Sequence, residues 1–125
     1  KRKELKVFGT DYDTNDGSAV RDYIHVTDVA KAHVLAINSF QSEKLYQFYN
    51  LGSGSGYSVF QIIEEFENVL GVKIPFKREK RRTGDVAAIW ADNNKAKQEL
   101  NWNITLTLSD MINSSYNWYL KQNKG

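Results

Sequence analysis

The sequence contains no cysteine, one proline, one methionine and two histidines in 125 residues. Lack of cysteine excludes a disulfide scaffold, thiolate zinc sites and a cysteine nucleophile. The two histidines, His25 and His33, have no cysteine or close carboxylate pattern beside them, so no metal site is expected. No apolar run approaches the ~18 residues of a membrane span, and no signal-peptide pattern opens the chain. Without a secretory signal, Asn103-Ile104-Thr105 and Asn113-Ser114-Ser115 are chance matches to the glycosylation pattern. No tyrosine is followed four residues later by lysine, and no nucleophilic triad has support. The chain opens on Lys1 rather than methionine, which leads us to expect part of a longer protein.

What is present is the composition of a globular chain: 41% hydrophobic and 26% charged residues, enough for one core and too apolar for wholesale disorder. The net charge of +2 is too small to name a partner. Its distribution says more. Lys77-Arg78-Glu79-Lys80-Arg81-Arg82 concentrates cations in a run suited to nucleic acid, nuclear import or a phosphorylated small molecule, although most such runs are solvated strand ends.

Periodicity predicts mixed helices and strands. Leu5 to Phe8 reads as a strand ending at Gly9, and Asp11 to Ser18 as a polar turn. Val20 to Val26 reads as a β-branched strand, with Thr27 capping a helix that runs to about Phe40 and carries Val29, Ala30, His33, Val34 and Ile37 on its apolar face. Leu45 to Leu51 reads as a buried strand, completing a βαβ unit. Ser58 and Gln61 form a capping box for a helix ended by Gly71. Val72 to Lys77 reads as an edge strand marked by Pro75, Asp92 as the cap of a short helix, and Thr107 as the cap of a last helix with Leu108, Met111, Ile112, Ser115, Trp118 and Tyr119 on one face.

Several motifs come close to a known site and miss. Asp11, Asp13, Asn15 and Asp22 mimic a calcium loop, but Asp16 stands where that loop needs glycine. Gly52-Ser53-Gly54-Ser55-Gly56 lacks the third glycine of a dinucleotide fingerprint, since position 57 is Tyr57, and lacks the Gly-Lys-Ser/Thr of a phosphate loop. It remains a turn through which a ligand can approach the backbone. The residues alone leave separated groups suited to an anionic ligand: Arg21, then Arg81 and Arg82 ahead of Gly84-Asp85, with aromatic residues nearby.

The order of segments adds a family resemblance. Arg21-Asp22-Tyr23-Ile24-His25-Val26-Thr27-Asp28-Val29-Ala30, then Tyr49-Asn50-Leu51-Gly52-Ser53-Gly54-Ser55-Gly56-Tyr57-Ser58-Val59, then Arg81-Arg82-Thr83-Gly84-Asp85, then Trp90-Ala91-Asp92 together resemble the C-terminal part of the UDP-glucose 4-epimerase family of extended short-chain dehydrogenases/reductases. The resemblance implies an α/β fold class: a C-terminal βαβ segment of a Rossmann sheet plus a small mixed α+β UDP-sugar-binding domain. It divides the chain into 1–20, the start of the substrate-binding domain; 21–51, the βαβ segment returning to the NAD-binding sheet; and 52–125, the UDP-sugar part.

The resemblance also implies roles. Leu5, Lys6 and Phe8 would line the uracil site, Arg21 and Arg82 would bind the diphosphate with Tyr23 and Val59 close by, and Asp85 would accept hydrogen bonds from the ribose. It implies NAD as cofactor, held by an N-terminal domain whose Gly-rich motif and Tyr/Lys pair have no counterpart here, so that no catalytic residue lies in this chain and the chain alone is inactive. In the family, hydride leaves and returns to C4 of the hexose through a 4-keto sugar, interconverting UDP-glucose and UDP-galactose in galactose metabolism. A cytoplasmic homodimer is implied, without nucleic-acid or membrane partners. Ile89 stands where some members have tyrosine and others a smaller residue, which implies tolerance of UDP-N-acetylglucosamine. Another sugar-nucleotide epimerase or dehydratase, or a non-catalytic sugar-nucleotide-binding protein, is the alternative.

Overall fold

The computed structural model describes residues 3–39 and 46–123. Four helices and two small sheets are assembled among these residues, a mixed α/β arrangement. The first strand, β1 (Leu5–Phe8), forms where the sequence predicts it. Strand β2 (Val20–Arg21) is much shorter than the predicted Val20 to Val26. Beyond Arg21 the chain leaves the ladder: the Asp22 carboxylate accepts the N–H groups of Ser53 (2.8 Å) and Ala91 (2.9 Å), and His25 already caps the next helix.

Helix α1 (Val26–Asn38) starts at His25, not Thr27; the Thr27 N–H donates to His25 Nδ1 at 3.0 Å, so an imidazole does the work expected of a hydroxyl. His25 Nε2 meets Ser114 Oγ at 2.9 Å and ties this cap to the last helix. Phe40, the predicted helix end, and Leu45, the predicted start of the next strand, lie outside the described residues.

The face of α1 that turns inward is also not the predicted one. Asp28 and Ala32 are buried, with Leu35 and Ala36 packed beside Ala32, Ala96, Leu100 and Trp102 in the core. Val34 and Ile37, from the predicted apolar face, are 58% and 74% exposed. The helix is apolar on two sides, and the described residues cover only one of them.

Residues 46–51 alternate outward and inward as a strand does, with Tyr46 and Phe48 exposed and Tyr49 and Leu51 against the core, yet they join no ladder with the other described residues. A strand exists only by its ladder, and none of the described residues supplies one here. The predicted βαβ unit is therefore not closed among the described residues.

Strand β3 (Tyr57–Ser58) runs antiparallel to β2, with Val20 opposite Ser58 and Arg21 opposite Tyr57. It leads into α2 (Val59–Leu70), whose capping box of Ser58 and Gln61 and left-handed Gly71 (φ 65°) are as predicted. Strand β4 (Phe76–Glu79) begins just after Pro75, later than the predicted Val72, and pairs parallel with β1. Pro75 cannot donate to a ladder, but its carbonyl accepts the Leu5 N–H at 2.9 Å, so it opens the pairing.

Helix α3 (Asn94–Leu100) is capped by position at Asn93, one residue after the predicted Asp92, although the Asp92 carboxylate accepts the Asn94 N–H at 2.9 Å. Helix α4 (Leu108–Gln122) has Thr107 as its cap, with Asp110 completing a capping box. It packs along α2, but only Ile112 on it is buried; Trp118 and Tyr119 of the predicted face are exposed.

Candidate functional site

The site grows out of the two small sheets. Val20 lies between two neighbours: its strand pairs with β3, while its N–H donates to the Ala87 carbonyl (2.8 Å) and its carbonyl accepts the Ile89 N–H (3.2 Å). That pairing carries segment 85–89 alongside Arg21. The β1–β4 pairing continues past the strands, where the Gly9 N–H donates to the Glu79 carbonyl at 2.9 Å, and delivers Arg81 beside Tyr12 and Arg82 beside Phe8.

The basic run is divided among separate partners. Glu79 faces Lys77 (3.4 Å) and Lys6 (3.5 Å), whose charges hold its carboxyl below the ordinary range. Arg78 lies 5.6 Å over the Phe60 ring. Arg81 stacks 4.2 Å over Tyr12 and donates from Nε to Asp11 at 2.8 Å, a hydrogen bond that lowers the Asp11 pKa; its Nη2 also reaches the Asp11 carbonyl. A Cβ on Gly9 (φ 77°) would come within 2.3 Å of Tyr12 and 2.9 Å of Arg81, so only glycine lets this stack close over the end of β1.

Arg82 turns the other way. Its guanidinium lies 4.9 Å over Phe8 and grips Asp85 with two hydrogen bonds, Nε to Oδ2 at 2.9 Å and Nη2 to Oδ1 at 3.3 Å. Arg21 reaches the same carboxylate: its Nη2 is 3.9 Å from Asp85 Oδ1, while Nη1 is anchored on the Val20 carbonyl at 2.7 Å. Two guanidinium groups from distant segments thus meet at one carboxylate, with an aromatic ring beneath one of them. An anion with several oxygens can be shared by such a pair.

The remaining residues singled out from the sequence lie around this cluster to different degrees. Val59 opens α2 with its N–H on the Ala19 carbonyl (3.1 Å), and Ile89 is exposed on the segment bonded to Val20. Tyr23 is half-buried two residues past β2. Leu5 and Lys6 open β1, and Lys6 is turned to Glu79, the residue paired with Phe8.

At Gly52 the glycine loop closes on the chain itself. A Cβ at Gly52 would stand 2.0 Å from Asp22 Oδ2, so the close approach there is to the chain's own carboxylate. Asp22 also accepts Ser53 Oγ (2.5 Å); burial raises its pKa, and the hydrogen bonds outweigh this and lower it. The helix that follows has its first amide groups met by Ser58 and Gln61. With Asp22 in the space beside Gly52, no pyrophosphate can approach the backbone at that glycine. Nothing in the spacing of the sequence announces Asp22 as its organiser, because its partners are 31 and 69 residues away. Among the described residues no group of histidine, cysteine and carboxylate side chains is placed to hold a metal, and no helix is long and apolar enough to cross a membrane.

Fold and site together define a mixed α/β unit in which two arginines from distant segments meet at one carboxylate. Residues 6–115 match the family model described as GDP-mannose 4,6 dehydratase, and the chain belongs to that family. It is 50% identical over 123 residues to UDP-glucose 4-epimerase of Bifidobacterium longum, which covers 98% of this chain and 36% of that protein. The solved structure of the Bifidobacterium longum UDP-glucose 4-epimerase in complex with NAD+ and UDP superimposes with a TM-score of 0.89 over 99% of this chain and 37% of that one. A Stenotrophomonas maltophila UDP-glucose 4-epimerase with bound NAD and formylated UDP-arabinopyranose, 43% identical, gives 0.93 over 98% of this chain and 37% of its own. The chain spans little more than a third of the length of these relatives.

Proposed function

We propose that this chain forms the UDP-binding part of an NAD-dependent UDP-glucose 4-epimerase that interconverts UDP-glucose and UDP-galactose. The observation that carries the reading is the meeting of Arg21 and Arg82 at Asp85, beside Phe8. In this reading both guanidinium groups take the diphosphate, Phe8 packs near the base with Leu5 and Lys6 along the same strand, Tyr23 and Val59 flank the phosphates, and Asp85 receives the ribose hydroxyls. Residues 1–20 and 52–125 build the UDP-sugar part, and 21–51 return to the NAD-binding sheet.

The division of binding energy follows from the chemistry. An epimerase must present both faces of the hexose at C4 to the same reactive groups, so the hexose has to turn while the nucleotide stays fixed. Charge-assisted hydrogen bonds to the diphosphate fix one end without gripping the other. NAD supplies hydride transfer and is assigned to residues other than the glycine loop, whose space Asp22 fills. The family model's own description favours one rival, a sugar-nucleotide dehydratase; formation of UDP-galactose from UDP-glucose by the full-length protein separates the two. The reading extends to a cytoplasmic homodimer.

Calorimetric titration of the full-length protein with UDP tests the site. Arg21→Ala and Arg82→Ala are each expected to weaken binding by about 10- to 100-fold, the worth of a charge-assisted bond of roughly 1.5–3 kcal/mol. A loss under twofold in both overturns the assignment. Ile89, exposed and smaller than tyrosine, leaves room beside the site, and the reading includes turnover of UDP-N-acetylglucosamine. Ile89→Tyr is expected to lower kcat/KM for that sugar more than for UDP-glucose; equal selectivity in both proteins removes this extension.

A further inference from the structure

The carboxylate of Asp85 is met by both of the guanidinium groups assigned to the diphosphate. It takes two hydrogen bonds from Arg82 and faces Arg21 at 3.9 Å, so the cluster of three carries one net positive charge instead of two. It is also held there. The Asp85 N–H donates to the Arg82 carbonyl at 3.2 Å, closing a tight turn through Gly84 (φ 85°) that keeps the two side chains three residues apart and adjacent. A phosphate that binds the two arginines must share the space with a fixed negative charge.

We propose that Asp85 is a built-in competing anion that makes the paired-arginine site discriminate against bare phosphates. This rests on the reading of Arg21 and Arg82 as the diphosphate site. A fixed charge within about 5 Å at a solvent-washed site repels an incoming anion enough to weaken it several-fold. Inorganic phosphate or pyrophosphate has no other contact with which to offset that repulsion. A nucleotide has its base and sugar, and keeps its affinity through them. Selectivity is then built from a repulsive element, not only from attractive contacts. Asp85 thus acts on the ligand's charge as well as holding the arginines.

The test is pyrophosphate binding to the full-length protein, read directly by calorimetry and as competition against UDP. Wild type is compared with Asp85→Asn and Asp85→Ala, with thermal unfolding to show that each variant is folded. Pyrophosphate, which has no ribose to lose a contact with Asp85, is expected to bind at least fivefold tighter to both variants. Unchanged or weaker pyrophosphate binding in both variants overturns the proposal and leaves Asp85 the organiser of the arginines and the acceptor assigned to the ribose. If UDP still binds the wild type in an Arg21- and Arg82-dependent way, that result leaves the diphosphate reading standing. If UDP does not bind the wild type, the diphosphate reading fails and takes this proposal with it.

Discussion

Asp28 has no exposed surface, yet its carboxylate is held as the anion. Burial pushes its pKa up. Against this stand the Thr105 hydroxyl (2.6 Å), the N–H groups of Thr105 and Leu106 (both 3.0 Å) and the Lys31 ammonium (3.2 Å), which together bring it down to about 2. Its backbone carbonyl also accepts the Trp102 indole N–H at 2.8 Å, so one residue joins α1 to the core tryptophan and to the turn before α4. A folded-state pKa below the ordinary 3.8 means that the stabilisation is complete above about pH 4 and is lost as the pH falls through 2. The shift is worth roughly 2 kcal/mol. Urea unfolding of the full-length protein between pH 2 and 7 is expected to show that loss. Asp28→Asn is expected to lower stability at pH 7 by about 2 kcal/mol and to flatten the acid limb; an unchanged limb would show that other carboxylates carry it. Asp16 and Asp22, both lowered by hydrogen bonds that outweigh their burial, act in the same direction.

Among the elements, helices were the more legible. Ser58 with Gln61, Thr107 and Gly71 are local signals, since each cap satisfies backbone groups within four residues. Strands of two to four residues have no such autonomy: β1 needs β4, and Val20 needs Ser58 and Ala88. Helix α1 misled for another reason. Its sequence carries two apolar stripes, and periodicity cannot say which one this chain buries. The open stripe of Val26, Val34 and Ile37 lies on the surface together with exposed Phe48. The 125-residue chain prepared alone is expected to self-associate with rising concentration in sedimentation velocity. Val34→Lys with Ile37→Lys is expected to shift it toward monomer without changing its helical circular dichroism. A wild-type chain that stays monomeric at high concentration would refute this.

On the scale of the whole molecule, the accessible surface is 9159 Å², against about 6,800 Å² for a compact globular chain of this mass. The excess fits a chain that leaves α1 and residues 46–51 partly uncovered. The candidate site was only half visible in the sequence. Composition pointed to an anion near Arg21 and the Arg81–Arg82 pair but could not choose within that pair. The choice is made by alternation past the end of β4, which sends Arg81 to Asp11 and Tyr12 and Arg82 to Phe8 and Asp85.

The parallel pairing of β1 with β4 carries a kinetic consequence. Leu5 and Phe76 are neighbours although 71 positions separate them along the chain, and Val20 and Ala88 are joined across 68. Closing loops of that length is entropically slow, whereas the capped helices form from local contacts. Arginine convergence is therefore expected among the last events of folding, and a newly made chain acquires its helices well before Arg21 and Arg82 meet at Asp85.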